Sequence, residues 1–189
     1  MKQKYIEKTF SYDGTQLHSL FAYLNYQVLG DSIVSWQGAC DISPNNMVDG
    51  EDLLLGAKIC GRHMLHFIVE KFNVNLFSGV AVQRLIASLA IDVLQELSPN
   101  KDRTSLLLRD GDDIYIGEQK LSISIATNSP TSTLIHFAVN VTNEGTPVET
   151  LCLQELKVDP IEYAKLLMMR ICDEIENIEI ATQKVKWVN

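Results

Sequence analysis

Lys120-Leu121-Ser122-Ile123-Ser124-Ile125-Ala126-Thr127-Asn128-Ser129-Pro130-Thr131-Ser132-Thr133-Leu134-Ile135-His136-Phe137-Ala138-Val139-Asn140-Val141 is the stretch on which the fold turns. It reads as two strands joined across Asn128-Ser129-Pro130-Thr131, because side chains in a strand alternate between its two faces. In the first run Leu121, Ile123 and Ile125 point one way, and Lys120, Ser122, Ser124 and Ala126 point the other. In the second, Thr133, Ile135, Phe137, Val139 and Val141 share one face, while Leu134, His136, Ala138 and Asn140 share the opposite one. If the strands pair across the turn, one sheet face gathers Lys120, Ser122, Ser124, His136 and Asn140 around Ala126 and Ala138. Such a face leaves room for something close to the sheet, either a ligand or a packed helix. A ligand would find three donors on Lys120, and on His136 a group able to accept or transfer a proton near neutral pH.

Upstream of this pair, Thr104 to Leu108 and Ile114 to Ile116 are further strand-like runs set off by Gly, Asp and Asn, so a meander of antiparallel strands is expected. Before it, Ser78 heads a helical stripe of Val82, Ile86, Leu89, Ala90, Val93, Leu94 and Leu97 that Ser98-Pro99-Asn100 terminates. After it, Asp159-Pro160-Ile161-Glu162 supplies N-cap, N1 proline and N3 acid for a long C-terminal helix. Nearer the start, Asp13-Gly14-Thr15-Gln16 has a capping-box-like order, and Leu17, Leu20, Phe21 and Leu24 predict a helix to about Tyr26. Ser32 to Trp36 predicts a strand, and Gln37 to Asn46 a turn-rich site loop. Asp49, Glu51 and Asp52 then crowd the first turn of a helix through Leu53, Leu54 and Ala57 toward Cys60. Helices against a mostly antiparallel sheet make the class α+β, with residues 1–189 as one domain.

Sixteen Lys and Arg against 24 Asp and Glu leave a net charge of −8 with no basic tract, which argues against nucleic acid as a partner. No apolar run is long enough to span a bilayer, and the first residues lack the apolar core of a leader, so a cytoplasmic protein without a membrane partner is expected. Cys40, Cys60, Cys152 and Cys172 form no CxxC pair and read as reduced thiols, with Cys60 and Cys172 in helix-like segments and Cys40 in an accessible loop. His63, His66 and Glu70 would converge on a helix. The alternation of Leu65, Phe67 and Val69 favours a strand instead, on which His66 and Glu70 stand roughly 13 Å apart, so no metal site is expected. P-loop, GxGxxG, GxSxG and HExxH patterns are absent. Arg109-Asp110-Gly111-Asp112-Asp113 reads as a turn rich in solvated Asp, or as carboxylates facing the pocket.

The run Asp110-Gly111-Asp112-Asp113-Ile114-Tyr115-Ile116-Gly117-Glu118-Gln119-Lys120-Leu121-Ser122, followed by Thr133 to Val141, resembles the catalytic half of lipoate- and biotin-protein ligases. The resemblance maps Asp113 to the Asp of those families, and Lys120 to the lysine that contacts the acyl carbonyl and the phosphate oxygen of their acyl-adenylate. Over nearly the whole chain, Tyr12-Asp13-Gly14, Gly30-Asp31-Ser32-Ile33-Val34, Met47-Val48-Asp49, Met64 to Glu70 and Ser129 to His136 are similar to domain-of-unknown-function family 366 of archaea and bacteria. That resemblance implies the fold of the class II synthetase and biotin-ligase group. Two departures stand out. No arginine- and glycine-rich phosphate loop occurs between Ser35 and Asp49, and Ile123 stands where a glycine usually follows the lysine by three.

These readings converge on a small-molecule enzyme, ligase- or acyltransferase-like, that holds a carboxylate, acyl or phosphate-bearing ligand at a lysine-centred pocket. Lys120, His136 and Asp113 are its expected catalytic residues, and Ser122, Ser124, Asn140, Asp49 and His66 its ligand-binding ones. No cofactor is specified by the residues. The competing reading is a non-catalytic ligand-binding or assembly protein that has lost adenylation, in which an open edge strand is compatible with a homodimer.

Overall fold

A computed structural model of the chain describes residues 1–188. Its centre is a five-stranded sheet in the order β1-β2-β3-β8-β7, formed by Lys2–Tyr5, Ser32–Asp41, Cys60–Phe72, Ser132–Asn140 and Ser122–Asn128. All neighbours are antiparallel except β1 with β2. A smaller sheet of β4 (Leu108–Asp110), β5 (Asp113–Ile116) and β6 (Gln119–Lys120) stands beside the β7 edge. The expected meander is therefore split in two, and the break falls at Leu121, whose fully buried side chain joins the main core.

One face of the large sheet carries Ile33, Leu65, Phe67, Val69, Ile135, Phe137 and Val139. It packs under α3 (Leu76–Leu97) and α6 (Pro160–Gln183) through Ile86, Ala90 and Leu94 of α3 and Leu167, Met168 and Ile171 of α6. By length and composition α3 is apolar enough to cross a membrane, and its apolar stripe lies in this core. Asp159 caps α6 as its sequence predicts, accepting from the Ile161 and Glu162 amides, with Pro160 at N1. The cap of α3 is Asn75 and not Ser78, whose amide donates to the Asn75 side chain at 2.9 Å.

The opposite face holds a second cluster built on Tyr12, Trp36, Met64, Ile68 and Ala138, covered by the N-terminal segment and α1 (Phe21–Tyr26). Helix α1 starts later than the sequence suggests. The local contacts at Asp13 do form, with Thr15 N donating to Asp13 Oδ1 and Asp13 N to Gln16 Oε1. Leu20 then adopts a left-handed backbone at φ 65°, its amide held by both oxygens of the buried Glu70 at 3.0 Å. Strand β2 likewise continues through the first half of the expected turn-rich loop, to Asp41. Cys40 is thus buried at 2% exposure in that strand and not in an accessible loop, and burial pushes its thiol up to about 12.

Helix α2 (Gly50–Leu55) ends at Gly56, whose φ of 62° suits a residue without Cβ, so Cys60 opens β3 and is not helical. The segment Met64 to Phe72 is strand throughout. Thr104 belongs to the short helix α4 (Lys101–Thr104), capped by Asn100 and not strand-like as expected. Helix α5 (Leu153–Leu156) precedes α6.

Candidate functional site

The hairpin register decides which side chains share a face. Ser122 pairs with Val139, Ser124 with Phe137, Ile123 with Ala138 and Ile125 with His136. Partners directly opposite share a face, and a slip of one residue exchanges the faces. Ser122 and Ser124 therefore go with the core face, contrary to the expected grouping with His136 and Asn140. The reason is volume: Phe137 and Val139 must lie under α3, and small serines opposite them let that helix approach. Gln83 of α3 donates through Nε2 to Ser124 Oγ at 2.9 Å and to Asp112 Oδ2 at 2.7 Å. Ser122 Oγ accepts from the Ile114 amide at 2.9 Å and so ties β5 to the edge strand.

Ile123 and Ile125 instead form, with His136 and Asn140, the floor of two adjoining cavities. The larger, about 220 Å³, is walled by Ala57, Ile59, Met64, Val148, Lys120 and Asn140. The smaller, about 50 Å³, is bounded by Tyr12, Asn46, Asp49, Ile125 and His136. Asp52, Ile59 and Ile123 border both, so the two form one groove roofed by α2 and the segments flanking it. Ser122 and Ser124 still border the cavities, because β7 is an edge strand.

Lys120 is positioned largely through its backbone. Its amide donates to Glu149 O, and its carbonyl accepts from the Leu151 amide at 3.0 Å and from Asn140 Nδ2 at 3.2 Å. Across the β5–β6 hairpin Lys120 pairs with Tyr115, which sets its side chain on the face of Asp113, two residues earlier. The ammonium donates to Asp113 Oδ2 at 2.6 Å, and the Tyr115 hydroxyl donates to the same oxygen at 3.2 Å. Burial pulls the Lys120 pKa down, but the bond to Asp113 and that carboxylate's charge outweigh it and the net shift is upward. Burial and the Asp113 charge raise the Asp112 carboxyl, and burial and Asp49 raise that of Asp52. Asp49 itself caps α2, accepting from the Glu51 and Asp52 amides at 2.8 and 3.1 Å.

His136 lies apart from Lys120, on the smaller cavity, at 1% exposure. Tyr12 stacks on its ring with centroids 3.7 Å apart and planes within 13°. His66, also buried, is bonded to it at 3.2 Å between Nδ1 and His136 Nε2. Desolvation, which penalises the charged form, lowers His66 to about 4, and the same burial with the His66 neighbour carries His136 well below its ordinary value. Both rings are neutral near pH 7, so the expected proton transfer by His136 near neutrality does not fit this burial. Glu70 is spent on Leu20 and on Ser132, whose hydroxyl donates at 2.7 Å.

The chain thus joins Lys120 and Asn140 in one cavity, with Asp113 bonded to Lys120 outside its lining, and His136 and Asp49 in the next, with His66 behind His136. Sequence reading missed Tyr12, Asp52, Ile59 and Ile123 as groove residues. The adjacency of Tyr12 to a capping motif and of Asp52 to a helix start gave each a sufficient local explanation.

The family model described as "Domain of unknown function (DUF366)" matches residues 1–186. An uncharacterised protein of Methanocaldococcus jannaschii is 28% identical over 182 residues, covering 93% of this chain and 80% of its own length. A solved protein of unknown function from Pyrococcus horikoshi is 36% identical, with a TM-score of 0.90 over 99% of this chain and all of its own. The biotin protein ligase of Aquifex aeolicus, solved with biotin and ATP, superposes with a TM-score of 0.59 at 13% identity, over 93% of this chain and 70% of its own. The α+β fold is that of the biotin and lipoate protein ligases.

Proposed function

The chain belongs to the DUF366 family, and from that membership and the geometry of its groove we propose that it binds a small molecule with an apolar stem and a carboxyl or acyl head, the head lying at Lys120. The supporting observation is the combination of an apolar floor and wall, made by Ile123, Ile59, Met64, Ala57 and Val148, with the Lys120 ammonium held by Asp113 and Lys58 also on the lining. Apolar pockets with a few placed polar groups are the usual form of small-ligand sites. Asp113 takes one of the three N–H donors of Lys120, and the others are available to a ligand oxygen. The Asp113 charge contributes to raising both Asp52 and Asp112, so carboxylates crowd this end of the groove and a single carboxyl or acyl oxygen fits better than a polyphosphate. The fold relatives solved with biotin, with biotin and ATP and with lipoic acid support this ligand class. In an enzymatic role Lys120 would polarise the carbonyl or neutralise its oxyanion, worth about 3 kcal/mol in a water-excluded transition state. Asp113 would orient the ammonium.

The test is a thermal-shift screen of wild type and Lys120→Ala against octanoate, lipoate, biotin and ATP with magnesium. A ligand at about a hundred times its dissociation constant adds roughly 2.7 kcal/mol, or about 5 to 10 °C for a chain this long. A carboxylate that raises the melting temperature of wild type and not of Lys120→Ala is the expected result. A shift equal in both proteins removes the head from Lys120, and no shift with any carboxylate favours the non-catalytic assembly reading.

A further inference from the structure

The smaller cavity has a hydrogen-bonding polarity that can be followed atom by atom. At the β-bulge between Gly38 and Cys40, the Gly38 carbonyl faces His66 Nε2 at 3.3 Å. A carbonyl only accepts, so His66 carries its proton on Nε2 and, being neutral, offers a lone pair on Nδ1. That lone pair faces His136 Nε2 at 3.2 Å, so His136 must donate there. Neutral in its turn, His136 is left with an unprotonated Nδ1. Neither this nitrogen nor the Tyr12 hydroxyl has a partner among the described residues, although both side chains are within 1% of full burial and both border the cavity. Neither atom is sealed in, for the buried side-chain atoms without a partner among the described residues are Ser32 Oγ and Ser35 Oγ; His136 Nδ1 and the Tyr12 hydroxyl therefore face the cavity, from which water or a ligand must satisfy them.

We propose that this cavity is a subsite for an uncharged head group bearing an N–H donor, an amide-type group whose N–H is accepted by His136 Nδ1. The inference rests on the reading that the groove holds a ligand, and it assigns the end of that ligand remote from Lys120. The backbone carbonyl of Gly38 sets the direction of the whole chain, so the acceptor is fixed and a ligand group without a donor is rejected. A charged ammonium is disfavoured by the same burial that keeps both imidazoles neutral, while the cavity's about 50 Å³ admits only a compact group. The Tyr12 hydroxyl, able to donate or accept, suits the carbonyl that accompanies an amide N–H.

The test uses the full chain with 15N-labelled histidine at pH 7. Imidazole 15N spectra should show His66 and His136 both protonated at Nε2, and a protonated His136 Nδ1 overturns the proposal. Acetamide and acetone are then titrated separately, since they share a shape and differ by the N–H donors. Acetamide should move the His136 Nδ1 resonance and bind about tenfold more tightly than acetone. Equal responses, or none to acetamide, overturn the proposal and leave the nitrogen to water. His136→Phe should lose the preference for acetamide. If that variant fails to fold, His66→Gln decides: its amide can donate to Gly38 and accept from His136, so the preference should persist. Lys120→Ala should leave the acetamide response unchanged, so failure of the Lys120 reading and failure of this one are told apart.

Discussion

The Lys120–Asp113 pair stands at 29% and 25% side-chain exposure, where an ion pair adds at most about 1 kcal/mol to folding. Lys120→Met should therefore leave the urea midpoint nearly unchanged while weakening carboxylate binding at least about tenfold by calorimetry. A raised lysine pKa contributes its stabilisation below the unfolded value near 10.5 and loses it as pH rises through the folded value, so this pair is insensitive to pH near neutrality. The buried histidines behave oppositely. Their folded pKa values are lowered, so below about 6.5 the unfolded chain takes up protons that the native rings refuse. Each ring then costs about 1.4 kcal/mol of stability per pH unit until its folded pKa is reached, about 4 for His66. Denaturant midpoints of wild type should fall between pH 6.5 and pH 5, and the double variant His66→Gln, His136→Gln should show a flatter profile over that range.

Elements set the groove through close approaches and caps. A Cβ on Gly38 would lie 1.8 Å from the Phe10 carbonyl, the same carbonyl that accepts from Trp36 Nε1 while the Phe10 and Trp36 rings stack at 4.6 Å. Gly38→Ala must therefore push the N-terminal segment off β2, and a loss of about 3 kcal/mol by urea unfolding is expected. Asp159→Ala should cost about 1 kcal/mol, the usual value of an N-cap, with the groove untouched. The hairpin of β7 and β8 shows how far local pattern carries. Its two strands and their alternation are legible because Ile and Ser, or Phe and His, differ sharply at period two. Which face of one meets which face of the other depends on the turn, where Ser129 N donates to Ser132 O, and on the need to bury Phe137 under α3.

Across the molecule, stability is uneven in a way that bears on binding. Helix α2 roofs the groove and buries none of its residues, and Leu54 on it is 89% exposed, whereas β3 and α3 carry the core. Local opening follows such contact density. Hydrogen exchange should be fastest among the helical amides of α2 and slowest in β3 and α3, and a ligand occupying the groove should slow α2 selectively. Equal protection of α2 and α3 without ligand would contradict that picture.

Local chemistry by itself determined the long helices, the hydrophobic β3 and the β7–β8 pair, together with the acidic, α+β character of the chain. Those features are written in apolar period, caps and turn residues, each legible within a window of a few residues. It also set Lys120 close enough in sequence to Asp113 for one hairpin to join them, though local pattern puts Asp113 in an Asp-rich turn and Lys120 at the start of a longer strand, not in the short strands β5 and β6 that do so. Only the tertiary structure decided that Ser122 and Ser124 turn toward α3, that β1 joins the sheet, that Cys40 is buried and that Tyr12 lies on His136. Each of these depends on partners outside any local window, chosen by volume and by the satisfaction of buried polar groups across the whole core. The same long-range choice put a neutral, directionally bonded His66–His136 pair beneath the groove, which no local pattern specifies.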